Sequence, residues 1–234
     1  MKLSIVVPVY NEEKTVEKLF SKVMEVDFSS KNVTPEILFI DDFSTDSSRA
    51  ILKKLQANEG VRVFFQDANK GKGAALRRGI SEASGDYVIV QDADLEYNPQ
   101  DFLELLEPVF KYDADVVYGS RFTWSNHRKI LNYWHYLGNA FLTKISNVFS
   151  GWNLTDMETC YKLIRKETLD QIHLCENRFG IEPEITAKLA KIKGLNVYEV
   201  PIFYHGRGYD EGKKIGIRDG FRAIYCILKY NLFN

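Results

Sequence analysis

Five short β-prone runs, separated by amphipathic stretches, constrain this chain more than any other feature. Leu3 to Val7, Glu36 to Ile40, Val61 to Phe65, Tyr87 to Gln91 and Val116 to Gly119 are each mostly apolar and only a few residues long. Between them lie helical patterns. Val16, Leu19, Phe20 and Val23 form one apolar face, and Ile51, Leu52 and Leu55 a second. Further helices are expected over 70–84, after a Gly-rich start, and over 99–110. Asn11 is expected to cap the first helix, with Glu12 and Glu13 favourable to its dipole; residues 44–46 are expected to open the second. Strands alternating with helices at this spacing imply βαβ units and a doubly wound, mainly parallel sheet.

The second half changes character. Residues 132–149 carry Tyr133, Trp134, Tyr136, Leu137, Phe141, Leu142, Ile145 and Phe149 with few charges. A helix this apolar on several sides is either buried or faces a lipid or a partner. A short strand is expected at 163–165, a helix at 183–191 and a strand at 196–203. Residues 217–230 read as a terminal amphipathic helix with Phe221, Ile224, Tyr225 and Leu228 on one side.

The chain has 234 residues, 45% of them hydrophobic, enough for one sizeable core. A net charge of −1 argues against a nucleic-acid partner, which would require a basic surface. Cys160, Cys175 and Cys226 have no metal-ligand spacing, and their odd number suggests no disulfide framework, which fits a reducing cytoplasmic compartment. The histidines, His127, His135, His173 and His205, show no ligand spacing either. No run of about 18 apolar residues suggests a membrane span, and Met1 to Val9 reads as a strand rather than a signal peptide.

In a doubly wound sheet, ligands bind beyond the carboxyl ends of the strands. The polar clusters fall there: Tyr10 to Glu12, Asp41 to Ser44, Asp92 to Glu96, and Arg121. Asp92 and Asp94, two apart, face one side of an extended chain, and Glu96 repeats the spacing. Three carboxylates so placed repel one another unless a cation joins them, and hard oxygen ligands suit Mg²⁺ or Mn²⁺. A cap for the following helix is the simpler alternative. Gly71 and Gly73 permit a close backbone approach or a helix start. No Walker loop and no GxGxxG follows the first strand.

Four patches carry a resemblance to a known family: Val6-Val7-Pro8-Val9-Tyr10-Asn11-Glu12, Ile40-Asp41-Asp42-Phe43-Ser44-Thr45-Asp46, Asn69-Lys70-Gly71-Lys72-Gly73, and Gln91 to Glu96. In this order they resemble the family 2 glycosyltransferases of the GT-A fold, most of all the dolichyl- or polyprenyl-phosphate sugar synthases. Phe43 stands where that family usually has Gly, and Glu96 where some members have Gln. The resemblance implies one GT-A catalytic domain over 1–234, a Rossmann-like, mainly parallel α/β sheet. Residues 1–125 would bind the nucleotide sugar, and 126–234 would form an acceptor-side extension of helices and strands. It also implies that Pro8, Tyr10, Glu12, Ile40, Asp42, Lys72, Asp92, Ala93 and Arg121 bind the nucleotide sugar, and that Asp92, Asp94 and Glu96 hold the Mg²⁺ or Mn²⁺. Asp94, Asp156, Arg207 and Lys213 would act in catalysis, the last two from a glycine-containing loop near the phosphates. Asp156 and Glu158 lie where many members place a base. The Gln-x-x-Arg-Trp of processive synthases is absent.

The function so implied is inverting transfer of a hexose from a UDP- or GDP-sugar to a polyprenyl or dolichyl phosphate. The enzyme would sit peripherally at the cytoplasmic face of a membrane, touching it through residues 130–149 and the terminal helix. Core packing of those stretches is the other reading. A sugar hydroxyl of a surface glycan is the alternative acceptor. A non-catalytic nucleotide-binding module is the alternative of another class.

Overall fold

The computed structural model describes residues 1–123, 129–130, 132–206 and 217–233, without the side chains of Ile217 and Arg218. The elements run β1 (Lys2–Val9), α1 (Val16–Met24), β2 (Thr34–Asp41), α2 (Ser48–Leu55), β3 (Val61–Phe65), α3 (Lys72–Glu82), β4 (Tyr87–Val90), α4 (Phe102–Tyr112), β5 (Val116–Ser120), α5 (Tyr133–Ser150), β6 (Lys162–Arg165), α6 (Lys166–Leu169), α7 (Ile181–Leu189), β7 (Val197–Pro201) and α8 (Ile217–Leu232). The seven strands form one sheet in the order β3-β2-β1-β4-β6-β5-β7. All pairings are parallel except those of β6, which runs antiparallel to both β4 and β5. The doubly wound α/β expectation therefore holds, and β6 and β7 from the second half join the same sheet.

The inner strands are buried on both faces, and the edge strands β3 and β7 are mostly half-buried. Ile5, Val6, Val7, Leu38, Ile40, Ile89, Val116 and Val117 are inaccessible to solvent, as expected where helices cover both sides of a parallel sheet. Val16, Leu19 and Val23 of α1 and Leu52 and Leu55 of α2 meet them, as their spacing predicts.

Two expected helix starts move. Asn11 does not cap α1; it adopts φ 55° and its Oδ1 accepts from Thr45 N at 2.8 Å, tying the β1 loop to the β2 loop. Helix α1 begins four residues later than Glu12, after Thr15, and α2 begins after Ser47 rather than within 44–46. In both cases polar residues make loop-to-loop bonds, although Asp46 Oδ1 also accepts from Ser48 N at the start of its own helix at 2.9 Å. The helix expected from Pro99 opens as a 3₁₀ turn, Pro99–Asp101, with Asn98 accepting from Gln100 N.

Helix α5 turns most of its aromatic side chains outward, while Leu142 and Ile145 pack partly buried against the core. Its buried residues are Thr143 and Ser146, whereas Tyr133, Trp134, Tyr136, Leu137, Phe141, Val148 and Phe149 are exposed. Helix α8 lies against it and buries Ala223, Cys226, Ile227 and Tyr230, while Phe221 and Tyr225 point outward. The terminal helix thus has two apolar faces, of which the fold covers one. No helix among the described residues is long and apolar enough to cross a membrane.

Candidate active site

The carboxyl ends of β1 and β2 are laced together. Asn11 N donates to Ser44 Oγ at 3.0 Å, Glu12 N to Ser48 Oγ at 2.9 Å and Glu13 N to Asp46 Oδ2 at 3.1 Å. Pro8 ends half-buried, Tyr10 stands exposed at the rim, and Glu12 accepts from its neighbour Thr15 Oγ1. Ile40 and Ala93, expected at the nucleotide, have buried side chains. Ile40 is wholly inaccessible, a sheet residue packed in the core.

Asp42 is almost completely buried and is the organiser of the loop that precedes α3. Its Oδ1 accepts from Lys70 N at 2.8 Å and Gln66 Nε2 at 2.9 Å, and its Oδ2 from Gly71 N at 2.7 Å. A carboxylate has about four acceptor sites, and the one left over, on Oδ2, is what Asp42 can offer a ring N–H. Next to it Phe43 takes φ 65°, in the left-handed region that glycine prefers. Its ring and that of Phe65 flank the Arg49 guanidinium, which pairs with Asp41 at 3.2 Å.

The glycines of 69–73 serve a different purpose from a ligand approach. A Cβ at Gly73 would stand 2.3 Å from Glu176 O, and one at Gly71 2.5 Å from Asn177 O. They let the 176–178 segment lie directly on the start of α3. That segment is in turn held by α8, through Arg222 and Tyr230 on Glu176.

Lys72, the first residue of α3, reaches back to β4. Its Nζ is 2.9 Å from each carboxylate oxygen of Asp92. It also lies 3.3 Å from Glu182 Oε1, near enough for attraction but outside hydrogen-bond geometry. Glu182 Oε2 accepts from Lys162 Nζ at 2.6 Å, and Lys162 also donates to Thr159 O. Burial opposes the charge on Lys72, yet Asp92 above all, with Glu182, holds its pKa well above the usual lysine value. The ammonium stays charged.

Beyond Asp92 the chain turns sharply, with Leu95 at φ 65°. Asp94 Oδ1 accepts from Glu96 N at 3.0 Å, and Glu96 Oε2 from Tyr204 Oη at 2.7 Å. The three-carboxylate chelate expected from Asp92, Asp94 and Glu96 is not assembled: among the described residues no three His, Cys, Asp or Glu side chains converge to hold a metal ion. The physical reason is that the repulsion has other remedies here. Lys72 neutralises Asp92, and a phenol satisfies part of Glu96. Asp94 and Glu96 carry hard carboxylate oxygens on one short turn. Their donor chemistry fits Mg²⁺ or Mn²⁺ shared with a diphosphate, since such ions commonly take one or two protein carboxylates and complete their shell with phosphate oxygens.

At the end of β5, Arg121 is clamped by Asp156. The guanidinium donates from Nε to Asp156 Oδ2 at 2.6 Å and from Nη2 to Oδ1 at 2.7 Å, and Arg121 N adds a third bond at 3.1 Å. Glu199 of β7 fixes the other side of Asp156 by accepting from its backbone N at 3.2 Å. Asp156 is fully buried and both its oxygens are engaged by Arg121. Nearby, Glu158 has a buried Oε1 with no hydrogen-bond partner. Burial raises its pKa to about 7, against the opposing pull of Lys162.

Arg207 and Lys213 lie outside the described residues, as does His127. Three participants carried no sequence signal of their own: Glu182, Lys162 and Tyr204 belong to none of the four motif patches and meet the site only through folding.

The fold has counterparts among known proteins. The structure is similar to that of glucosyl-3-phosphoglycerate synthase from Mycobacterium tuberculosis, crystallised with Mn²⁺, UDP and glucosyl-3-phosphoglycerate. The TM-score is 0.73 at 20% identity over 98% of this chain and 80% of that one, a likeness of fold. In sequence the chain is 32% identical to dolichol-phosphate mannosyltransferase of Pyrococcus furiosus, over 98% of this chain and 64% of that protein. It is 26% identical to dodecaprenyl-phosphate galacturonate synthase of Rhizobium johnstonii, over 100% of this chain and 67% of that protein. The chain thus spans about two thirds of the length of these relatives. The family model described as glycosyl transferase family 2 matches residues 4–172, and the chain belongs to that family.

Proposed function

We propose that this chain transfers a hexose from a UDP- or GDP-sugar to a polyprenyl phosphate, with inversion at the anomeric carbon. The observation that carries the proposal is that the Arg121–Asp156 clamp and the Asp94–Glu96 turn both meet Tyr204: a fixed cation on one, carboxylates suited to a metal–diphosphate on the other. The names of the two sequence relatives, both acting on a lipid phosphate, support the same acceptor.

A phosphate monoester is largely ionised near neutral pH. Its oxygen attacks the anomeric carbon from the face opposite the diphosphate, and the breaking C–O bond leaves its electron pair on the diphosphate. No base is required. Asp156, with both oxygens engaged by Arg121, acts by positioning the guanidinium. Arg121 Nη1, which takes no part in that pair, is the donor for the acceptor phosphate. Asp94 and Glu96 would hold the divalent cation, which when bound neutralises charge on the leaving diphosphate. Lys72 pairs with Asp92 and holds it in place at the edge of that site. Arg207 and Lys213 supply further positive charge to the leaving group. Tyr10 and the remaining acceptor site of Asp42 serve the nucleoside.

The outward aromatic face of α5 and α8 is the surface through which the enzyme meets the bilayer that carries its acceptor, at the cytoplasmic side. Exposed aromatic and aliphatic side chains on an in-plane helix suit that role.

Glu158 favours a second reading. A carboxyl with a pKa of about 7 is matched to general-base work near neutrality, which a sugar hydroxyl acceptor would need. Incubation with labelled nucleotide sugars, Mn²⁺ and both acceptor types separates the readings. Label in the organic phase supports lipid phosphate; label confined to a water-soluble glycan supports the hydroxyl.

A further inference from the structure

Helix α8 lies in the half of the chain expected on the acceptor side, yet its polar anchor serves the other half. That anchor is Glu176, a buried carboxylate just before α7. Arg222 Nη2 donates to its Oε1 at 2.9 Å and to its Oε2 at 2.8 Å, Arg222 Nε to Oε2 at 3.2 Å, and Tyr230 Oη to Oε1 at 2.8 Å. Lys229 Nζ stands 3.9 Å from the same Oε1. Burial opposes the charge, yet the bonds from Arg222 and Tyr230 keep the carboxyl below its usual pKa. From the opposite side Glu184 of α7 accepts from Cys175 N and Glu176 N, both at 2.7 Å.

The backbone between these anchors bears on the loop that opens α3. Asn177 O accepts from Ala74 N at 3.1 Å. A methyl at Gly73 would collide with Glu176 O and one at Gly71 with Asn177 O, so the two segments touch without slack. In that loop Lys70 N and Gly71 N donate to Asp42, and Lys72 Nζ to Asp92. A shift of residues 176–178 therefore moves three donors at once. A buried carboxylate stripped of its own donors must find water, and Glu176 does so by drawing its backbone away from Gly73. We propose that Glu176 is a positioning residue for the nucleotide sugar: clasped by Arg222 and Tyr230, it sets the place of residues 70–72, and α8 thereby supports the donor side of the site. This rests on the reading of Asp42, Lys72 and Asp92 as donor-binding residues.

The test uses the full chain and UDP or GDP as the probe, titrated calorimetrically in the presence of Mn²⁺. Arg222 is half-exposed, and Tyr230→Phe removes only a hydroxyl, so both changes are compatible with the fold. Arg222→Met combined with Tyr230→Phe is expected to weaken nucleotide binding about tenfold, the scale of one charge-assisted hydrogen bond. Arg222→Lys, which keeps a charged donor, is expected to retain most of the affinity. Ile227→Ala, on the same helix, opens a cavity in the main core and touches no bond of Glu176. It is expected to lower the thermal midpoint and leave the affinity unchanged, which separates positioning from loss of stability. Unchanged affinity in the combined variant, or an equal loss in Ile227→Ala, overturns the inference and leaves the proposed function standing. A wild-type chain that binds neither nucleotide contradicts the donor-site reading, and the inference with it.

Discussion

The ammonium of Lys72 lies 2.9 Å from both carboxylate oxygens of Asp92, although the two residues are 20 positions apart on different elements. The contact ties the start of α3 to the end of β4 and supplies internally part of the positive charge that an acidic turn demands.

Removal of this ammonium leaves Asp92 and Glu182 without their shared cation. Lys72→Met is expected to lower stability by roughly 2–4 kcal/mol, the scale of breaking a largely buried ion pair from one side. Millimolar Mg²⁺ is expected to restore part of the loss, and to stabilise the variant more than the wild type. Urea unfolding with and without Mg²⁺ measures both effects; identical midpoints for variant and wild type would remove the role assigned to Lys72.

Glu158 gives a pH dependence with a definite sign. Its pKa is raised in the fold to about 7 from 4.5, and the folded state therefore binds the proton more tightly than the unfolded chain. The corresponding stability is fully present below about pH 4.5 and is lost as pH rises through 7. Glu158→Gln, which cannot ionise, is expected to unfold at a higher temperature than wild type at pH 8 and to show no such advantage at pH 5. Calorimetric scans at the two pH values check the crossover.

Phe43 holds a left-handed backbone that costs a side-chain-bearing residue about 1–2 kcal/mol. Phe43→Gly relieves that strain but forfeits the stack on Arg49, worth about 0.5–1 kcal/mol at an exposed site. The net change in unfolding free energy is expected to be small. Phe43→Val keeps the strain and loses the stack, and is expected to be about 1–2 kcal/mol less stable than Phe43→Gly. Equal stability of the two would show that the backbone strain is not felt.

Trp134 and Phe141 are 74% and 55% exposed, and their replacement should leave the fold intact. Trp134→Ser and Phe141→Ser are each expected to weaken binding to anionic phospholipid vesicles by roughly tenfold, as burying an aromatic side chain contributes about 1.5–3 kcal/mol. Thermal midpoints are expected to stay within a few degrees of wild type. Vesicle co-sedimentation unaffected by both substitutions would take the membrane away from this face.

The alternation of strands and helices was legible because each element has its own period and because parallel strands, buried on both faces, are continuous apolar runs. The ligand-facing ends were legible too, since the polar clusters terminate those runs. What periodicity cannot convey is which stripe of a helix the fold will cover. Helix α5 buries Thr143 and Ser146 and leaves its aromatics outside, and α8 covers Cys226 and Tyr230 instead of Phe221 and Tyr225. Local spacing also says nothing about partners that arrive from far along the chain. Three acidic residues spaced two apart read as one chelate, but Lys72 comes to Asp92 from the start of α3 and Tyr204 to Glu96 from 108 residues away. Asn11 and Glu12 read as helix-start residues for the same reason: their bonds to Thr45 and Ser48 exist only once β1 and β2 are side by side.

The central claim is a sugar transfer to a lipid phosphate at the Asp94–Arg121 site. The most direct measurement is the movement of radiolabel from a panel of UDP- and GDP-hexoses into the organic phase, with polyprenyl phosphate and Mn²⁺ present. The wild-type chain is expected to transfer label from at least one donor, with transfer lost on chelation and reduced at least a hundredfold in both Asp94→Asn and Arg121→Met, the scale of removing one electrostatic group from a transition state. Full transfer by either variant, or label that never enters the organic phase with any donor, would contradict it.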